Sequence, residues 1–453
     1  MANDYCTPLD ITQIERNFSE INPAFNAAEA MHEANRCLFC YDAPCIQACP
    51  TGIDVPTFIK KIATGNLQGS ARVIFDANPI GASCARVCPV EVLCEGACVE
   101  KTLLNKPIEI GRLQRYATDY AIESGKPLFA KGEPNGKSVG IVGSGPAGLS
   151  CATYLARLGY DVTVYERKAQ AGGLDTYGMA EYKMPKLVSL SEVEYIAGLG
   201  VKFILNTQIV RGATPDSEVL GEVNTVGFDV LDEWHDAIFL ATGLGGTNRL
   251  NIPGEDLEGV YDALEFIELI KTRDWKSVPL GRNVAVLGAG NTAIDAVTQA
   301  KRLGAEKVTL IYRRTEKDAP AYEYEMELAH KDGIEFMWQT SPLEFLGDGR
   351  VAGMRVADAA GFESEIAFDQ VIKAIGQQKM ASFFTEVCGV AVDGKGRVSV
   401  NEQMQTSNPK IFAGGDCANG GAEAVDASQM GKLAAQGIHQ ALTGEAVNFA
   451  GAK

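Results

Sequence analysis

The sequence predicts a multidomain protein: an N-terminal α-helical domain followed by two α/β, Rossmann-like nucleotide-binding domains. Three observations carry this reading. Eight of the twelve cysteines fall within the 62 residues from Cys37 to Cys98. Further on, a short apolar strand runs into Gly143-Ser144-Gly145-Pro146-Ala147-Gly148. A second strand runs into Gly288-Ala289-Gly290-Asn291-Thr292-Ala293. A chain of 453 residues is long enough for about three domains.

The cysteines read Cys37-x2-Cys40-x4-Cys45-x3-Cys49-Pro50, then Cys84-x3-Cys88-Pro89, Cys94 and Cys98. Soft thiolates at short spacings converge on metal, and a run ending in Cys-Pro often sends its last cysteine to a neighbouring cluster. Counted simply, eight cysteines suit two 4Fe-4S clusters as two sets of four. Structural zinc is the alternative, but it favours paired Cys-x2-Cys knuckles, and only Cys37 and Cys40 have that spacing. Disulfides fit less well, because nothing marks the chain for export. Cys6, Cys151, Cys388 and Cys417 read as ordinary small apolar or surface residues.

Composition agrees with a globular protein: 46% apolar and 22% charged. The net charge of −17 argues against nucleic acid or an anionic membrane as partner. The opening Met-Ala-Asn-Asp-Tyr-Cys has no signal pattern, and no run of about 18 apolar residues appears, so a cytoplasmic protein is expected.

Residues 1–30 read as an arm, with Asn22-Pro23 marking a turn. Helical text begins at Ala27 and returns at Val55–Thr64, Gln68–Asp76 and 107–124, and His32 reads as a helix-surface residue. The Gly-, Pro- and Lys-rich stretch Gly125–Lys137 is a linker. A complete βαβ opening follows. Gly143 permits the tight turn, Gly145 lets a pyrophosphate approach, and Gly148 lets the helix pack on the strand. Glu166 ends the second strand, 18 residues beyond Gly148, where a carboxylate can accept from a ribose diol. The strand at 237–243 ends in Ala-Thr-Gly, a crossover to another domain.

The second unit repeats this plan, but its second strand ends in Arg313-Arg314. Arginine there pairs with a ribose 2′-phosphate, which favours NADP(H) over NAD(H). The bland reading is two exposed loop arginines. Residues 340–375 alternate as short strands, and Ile411-Phe-Ala leads into Gly414-Gly415-Asp416. An aspartate there can bond a flavin's ribityl chain, and the helix over 425–442 would aim its N-terminus at the ring edge. Two nucleotide sites in tandem point to FAD and a pyridine nucleotide. A flavin belongs between a two-electron donor and one-electron clusters. Hydride transfer needs no protein acid or base, so no catalytic side chain is named. No Cys-x-x-Cys lies in this half, against a dithiol reductase. The division is 1–130 for the helical domain, 131–250 with 376–453 for a discontinuous FAD domain, and 251–375 for the NAD(P) domain.

The order of these motifs, with GSGPAGLSCATYLARLGYDVTVYE, AGGL, ATG, GAGNTAIDA, YRR and AGGD, resembles the glutamate synthase small subunit and the N-terminal half of dihydropyrimidine dehydrogenase. The resemblance spans about residue 25 to 445. Gln114 in Gly-Arg-Leu-Gln-Arg-Tyr, with RCLFCYDAPCIQACP and NPIGASCARVCP, is most similar to the flavoprotein subunit of the bacterial NAD(P)-dependent pyrimidine enzymes. The resemblance implies one cluster on Cys37, Cys40, Cys45 and Cys98, and another on Cys49, Cys88, Cys94 and Gln114. Cys84 is then no ligand, contrary to the simple count. It implies FAD on Gly143, Gly145, Gly148, Glu166, Gly173, Leu174, Lys183 and Asp416, although Lys183 stands where the family commonly has arginine. It implies NAD(P)H on Gly288, Gly290, Asn291, Thr292, Arg313 and Arg314. Bacterial members are often NAD-specific. The family's pyrimidine-reducing half is not matched here, so the expected partner is a separate FMN/4Fe-4S subunit. The alternatives are another electron-input subunit, as in glutamate synthase, and a redox sensor without turnover.

Overall fold

The structure is a computed structural model and describes residues 7–212 and 223–451; Cys6 lies outside them. It forms two compact units. One comprises Asn22–Thr176, Lys186–Leu244 and Lys379–Lys453; the other comprises Met1–Ile21, Tyr177–Pro185 and Gly245–Gln378.

In the first unit, local signals start each N-terminal helix. Asn26 accepts from Ala28 N and Glu29 N while Glu29 returns to Asn26 N, a capping box opening the helix Ala27–Asn35. Asp54 caps Val55–Ala63 through Thr57 N. These helices, with Leu67–Ala77 and Ile110–Ser124, bury Phe58, Ile59, Ile62, Ile74 and Leu113. Beside them lies a five-stranded parallel sheet in the order Ile411–Ala413, Ala237–Leu240, Ser138–Val142, Asp161–Tyr165, Lys202–Ile204. Packing does not break at residue 130. Phe75, Ile80 and Cys84 share one core with Leu149, Leu155 and Val162, and Phe75 stacks on Tyr195 at 5.5 Å.

The second unit has the same strand plan: Glu335–Met337, Lys307–Ile311, Asn283–Leu287, Gln370–Lys373, Val260–Asp262, all parallel. In both units the glycine loop follows the central strand, where the strand order reverses and open α/β sheets bind ligands. An antiparallel meander, Ser341–Asp348, Arg350–Ala357 and Glu363–Ala367, occupies the stretch read as alternating strands.

The N-terminal arm corrects the expected 1–130 division. Its described residues as far as Ile21 belong to the second unit, where Ile14 and Phe18 bury in the core and Phe18 stacks on Trp275 at 4.9 Å. Asn17 Nδ2 donates to Arg302 O at 2.8 Å, and Lys276 Nζ donates to Thr7 O at 3.0 Å.

Candidate functional site

Two cavities organise the cysteine-rich region. The outer one is lined by Cys37, Cys40, Cys45 and Cys98 with apolar Val55, Ile59 and Ile108. Phe39, between the first two cysteines, is left-handed at φ 51°, which turns the short loop. Cys98 sits at the N-cap of Val99–Leu104. The inner cavity is lined by Cys49, Cys84, Cys88, Cys94 and Gln114, with Val425 reaching it from the far C-terminal part of the unit. All eight thiols are free of disulfides.

Gln114 is buried and donates Nε2–H to Gly81 O at 2.7 Å, so its Oε1 turns away from that carbonyl as the remaining acceptor. Five donors thus surround the inner cavity, and Cys84 is among them. Burial pushes the Cys45 thiol up to about 12 and holds Cys94 well above its ordinary range. Cys88 rises through its hydrogen bond with Cys84 and through burial. Such thiols stay neutral until a metal compensates the thiolate charge. Among the described residues, no three His, Cys, Asp or Glu side chains converge on a single-ion position.

Sequence reasoning missed what holds the inner wall. Glu192 accepts from Ala82 N at 2.7 Å, Ser83 N at 3.1 Å and Ser83 Oγ, capping the helix Gly81–Val87 that carries Cys84. Burial pushes this carboxyl from its ordinary 4.5 up to about 8. Between those values the folded chain holds one proton more than the unfolded, so stability falls as pH rises. Chemical denaturation between roughly pH 5 and 7.5 should therefore show the wild type losing about 1.4 kcal/mol per pH unit more than Glu192→Gln. Equal slopes would contradict the buried titration.

The first glycine loop is built tightly. A Cβ on Gly143 would lie 2.4 Å from Ala241 O, and one on Gly148 2.2 Å from Gly143 O. At Gly145 nothing lies closer than Gly173 Cα at 3.9 Å, which leaves the face a pyrophosphate needs. Glu166 reaches back to this loop, accepting from Ser144 Oγ at 2.6 Å and Ser144 N at 3.1 Å. Gly172 N donates to Ser144 Oγ at 3.1 Å and brings Gly173 and Leu174 alongside. Asp416 opens the short helix Asp416–Asn419, accepts from Ala422 N at 3.2 Å, and is raised above its ordinary range by burial. The final helix, Ala424–Thr443, packs on the phosphate-loop helix through Gly431, where a Cβ would lie 2.2 Å from Ala147 O.

In the second unit, Gly288 is equally constrained, since a Cβ would lie 2.2 Å from Ala374 O. Gly290 faces space, with Pro320 Cγ nearest at 3.8 Å. Asn291 Oδ1 accepts from Tyr322 N at 3.1 Å, and Ala321 N donates to Ala289 O at 3.1 Å, so residues 320–322 lie against the loop. Thr292, Arg313 and Arg314 are exposed, and among the described residues neither arginine forms an ion pair. Lys183, expected at the flavin, falls outside the first unit. It belongs to this second unit, where Nζ is ion-paired with Asp295 and Glu325, and Asp295 also accepts from Ala180 N at 3.2 Å. The residues brought together in the first unit are therefore Gly143, Gly145, Gly148, Glu166, Gly173, Leu174 and Asp416, without Lys183.

Residues 137–431 match the pyridine nucleotide-disulphide oxidoreductase family, and residues 14–126 match the dihydropyrimidine dehydrogenase domain II, 4Fe-4S cluster family. The chain is 35% identical to the glutamate synthase [NADPH] small chain of Escherichia coli over 95% of both chains. It is 32% identical to the NAD-dependent dihydropyrimidine dehydrogenase subunit PreT of Escherichia coli, over 94% of this chain and 97% of that one. Thioredoxin reductase of Lactococcus lactis superposes with a TM-score of 0.55 at 26% identity, over 68% of this chain and 100% of that one. The likeness to thioredoxin reductase is one of fold, since Cys151, Cys388 and Cys417 in the matched region are buried and form no Cys-x-x-Cys pair. The chain belongs to the pyridine nucleotide-disulphide oxidoreductase family, and it is a flavin- and NAD(P)H-dependent oxidoreductase with an N-terminal 4Fe-4S domain.

Proposed function

We propose that this chain is the electron-input subunit of a heteromeric, cytoplasmic dihydropyrimidine dehydrogenase. It oxidises NAD(P)H at FAD and delivers electrons through two 4Fe-4S clusters to a separate FMN-containing subunit. That subunit adds two electrons and two protons to uracil or thymine, giving the 5,6-dihydropyrimidine. The observation that carries the reading is Gln114, an amide rather than an acid, in the wall of a cysteine-lined cavity. Likeness to the PreT subunit supports it. FAD when bound converts a hydride into single electrons.

The chain's own residues provide binding and insulation. Gly145 leaves room for the flavin pyrophosphate, Gly173 packs against it where a Cβ would lie 2.6 Å from Gly145 Cα, and Glu166, buried at the end of the second strand, is placed for the ribose. Cys37, Cys40, Cys45 and Cys98 hold the outer cluster, and Cys49, Cys88, Cys94 and Gln114 the inner one. Leu38, half exposed on the outer cavity, and the fully exposed Tyr41, next in sequence to Cys40, offer apolar surface to the partner.

Arg313 and Arg314 support NADP(H) as donor. Removing both should lower the preference for NADPH over NADH about 10–100-fold, the worth of charge-assisted hydrogen bonds to a phosphate. An unchanged ratio of kcat/KM values would contradict a 2′-phosphate role for the two arginines.

Identity of 35% to a glutamate synthase small chain favours a second reading, in which the partner reduces the imine formed from glutamine-derived ammonia and 2-oxoglutarate. Mixing the purified chain with each type of large subunit decides between them. Uracil-dependent NAD(P)H oxidation is expected; glutamine- and 2-oxoglutarate-dependent oxidation alone would overturn the pyrimidine assignment.

A further inference from the structure

The helix Ala424–Thr443 carries Lys432 on its buried face, with no exposed surface at all. Lysine is almost never fully buried without dedicated partners. Lys432 Nζ donates to Thr51 O at 2.9 Å and to Ala450 O at 2.9 Å. Thr51 belongs to the turn that follows Cys49-Pro50, closed by Gly52 N donating to Cys49 O at 3.0 Å. Its own hydroxyl lies 3.4 Å from Cys49 Sγ, and the residue is completely buried. The C-terminal segment is seated on the same turn. Gly52 and Gly451 touch so closely that a Cβ on Gly52 would lie 2.6 Å from Gly451 O. Phe449 packs on Tyr154 with ring centroids 4.3 Å apart.

The same helix meets the inner cavity at two further points. Val425 lines it directly, and Ser428 Oγ is 2.8 Å from Oδ1 of Asn78, another lining residue. The outer cavity is lined entirely by residues of the N-terminal region, from Cys37 to Ile110. Whatever this helix does to a cluster, it does to the inner one.

We propose that Lys432 is a positioning residue for the inner cluster: it fixes the turn that presents Cys49, keeps Thr51 Oγ on the ligand sulfur, and sets a buried cation beside the site. The inference rests on the reading that the inner cavity holds a cluster. One electron entering a cluster adds one negative charge. A nearby cation and a hydrogen bond to a ligand sulfur both favour that state, so both raise the reduction potential.

The test is a redox titration of anaerobically purified protein, followed by electron paramagnetic resonance, with iron and FAD measured alongside. The outer signal is assigned from Cys45→Ser, which lacks that cluster. In Lys432→Met the inner potential should move to a lower value, or the inner cluster should be lost and iron fall from about eight to about four per chain. The outer potential and the FAD content should not change. Full iron with both potentials unmoved would overturn the proposal. Thr51→Val keeps the turn and removes only the sulfur contact, so it serves if Lys432→Met does not fold. It should lower the inner potential at full iron content, and an unmoved potential would again overturn the proposal. A wild-type chain with only one cluster would overturn the two-cluster reading, a result separate from either variant.

Discussion

Replacing Lys183 with methionine should destabilise the pyridine-nucleotide unit by about 3–5 kcal/mol, the usual cost of stripping the cation from a buried ion pair. Lys183 Nζ stands between Asp295, on the helix that follows the phosphate loop, and Glu325, on the helix Glu323–Lys331. Their side chains are only 10% and 4% exposed, so methionine leaves two carboxylates facing each other with little water to screen them. Urea unfolding read by tryptophan fluorescence checks this, because Trp275 and Trp338, two of the three tryptophans, lie in that unit. Lys183→Met/Glu325→Gln should recover a large part of the loss, since it removes one of the two stranded charges. A Lys183→Met protein within 1 kcal/mol of wild type, roughly the net worth of a surface pair, would contradict the buried triad.

Single ligand replacements should have the largest effect on electron delivery, and the two cavities should respond separately. Cys45→Ser should remove the outer cluster and Cys88→Ser the inner one. Each should lower NAD(P)H-dependent reduction through the complex at least about 100-fold, since even outer-shell changes at metal sites cost 10–100-fold. Each variant should keep its FAD, because Gly143, Gly145 and Glu166 belong to a separate cradle. Flavin reduction by NAD(P)H in stopped flow should therefore proceed at a near-normal rate while delivery fails. Loss of flavin reduction in both variants would show that the cavities are needed for folding rather than conduction.

Much of this architecture was legible in the sequence, because the signals are local. Glycine loops between an apolar strand and a helix mark both nucleotide units, and the helices at 55, 67 and 424 begin within a residue or two of where their periodicity starts. The cysteine spacings mark the cluster region, and the family resemblance, not the spacing, groups Gln114 with Cys49, Cys88 and Cys94, which all line the inner cavity. What the spacings cannot reveal is where a buried side chain finds its partner. Glu192 caps a helix about 110 residues earlier, and Lys432 fixes a turn 381 residues earlier. The stretch Ile11–Asn17 reads only as part of an arm, and nothing in its sequence tells which core receives Ile14. Lys183 hides its partners in the same way. Its neighbours in sequence serve the flavin loop, but its carboxylate partners lie more than 110 residues away. Cys84 remains distinctive: spacing makes it a natural ligand, and the structure puts it on the inner cavity beside Gln114.

The central claim is that two cysteine-lined cavities make this chain an electron conduit. Iron and acid-labile sulfide, measured together per FAD on anaerobically purified protein, test it most directly. Two 4Fe-4S clusters predict about eight iron and about eight sulfide per flavin. Zinc with no labile sulfide would contradict the account.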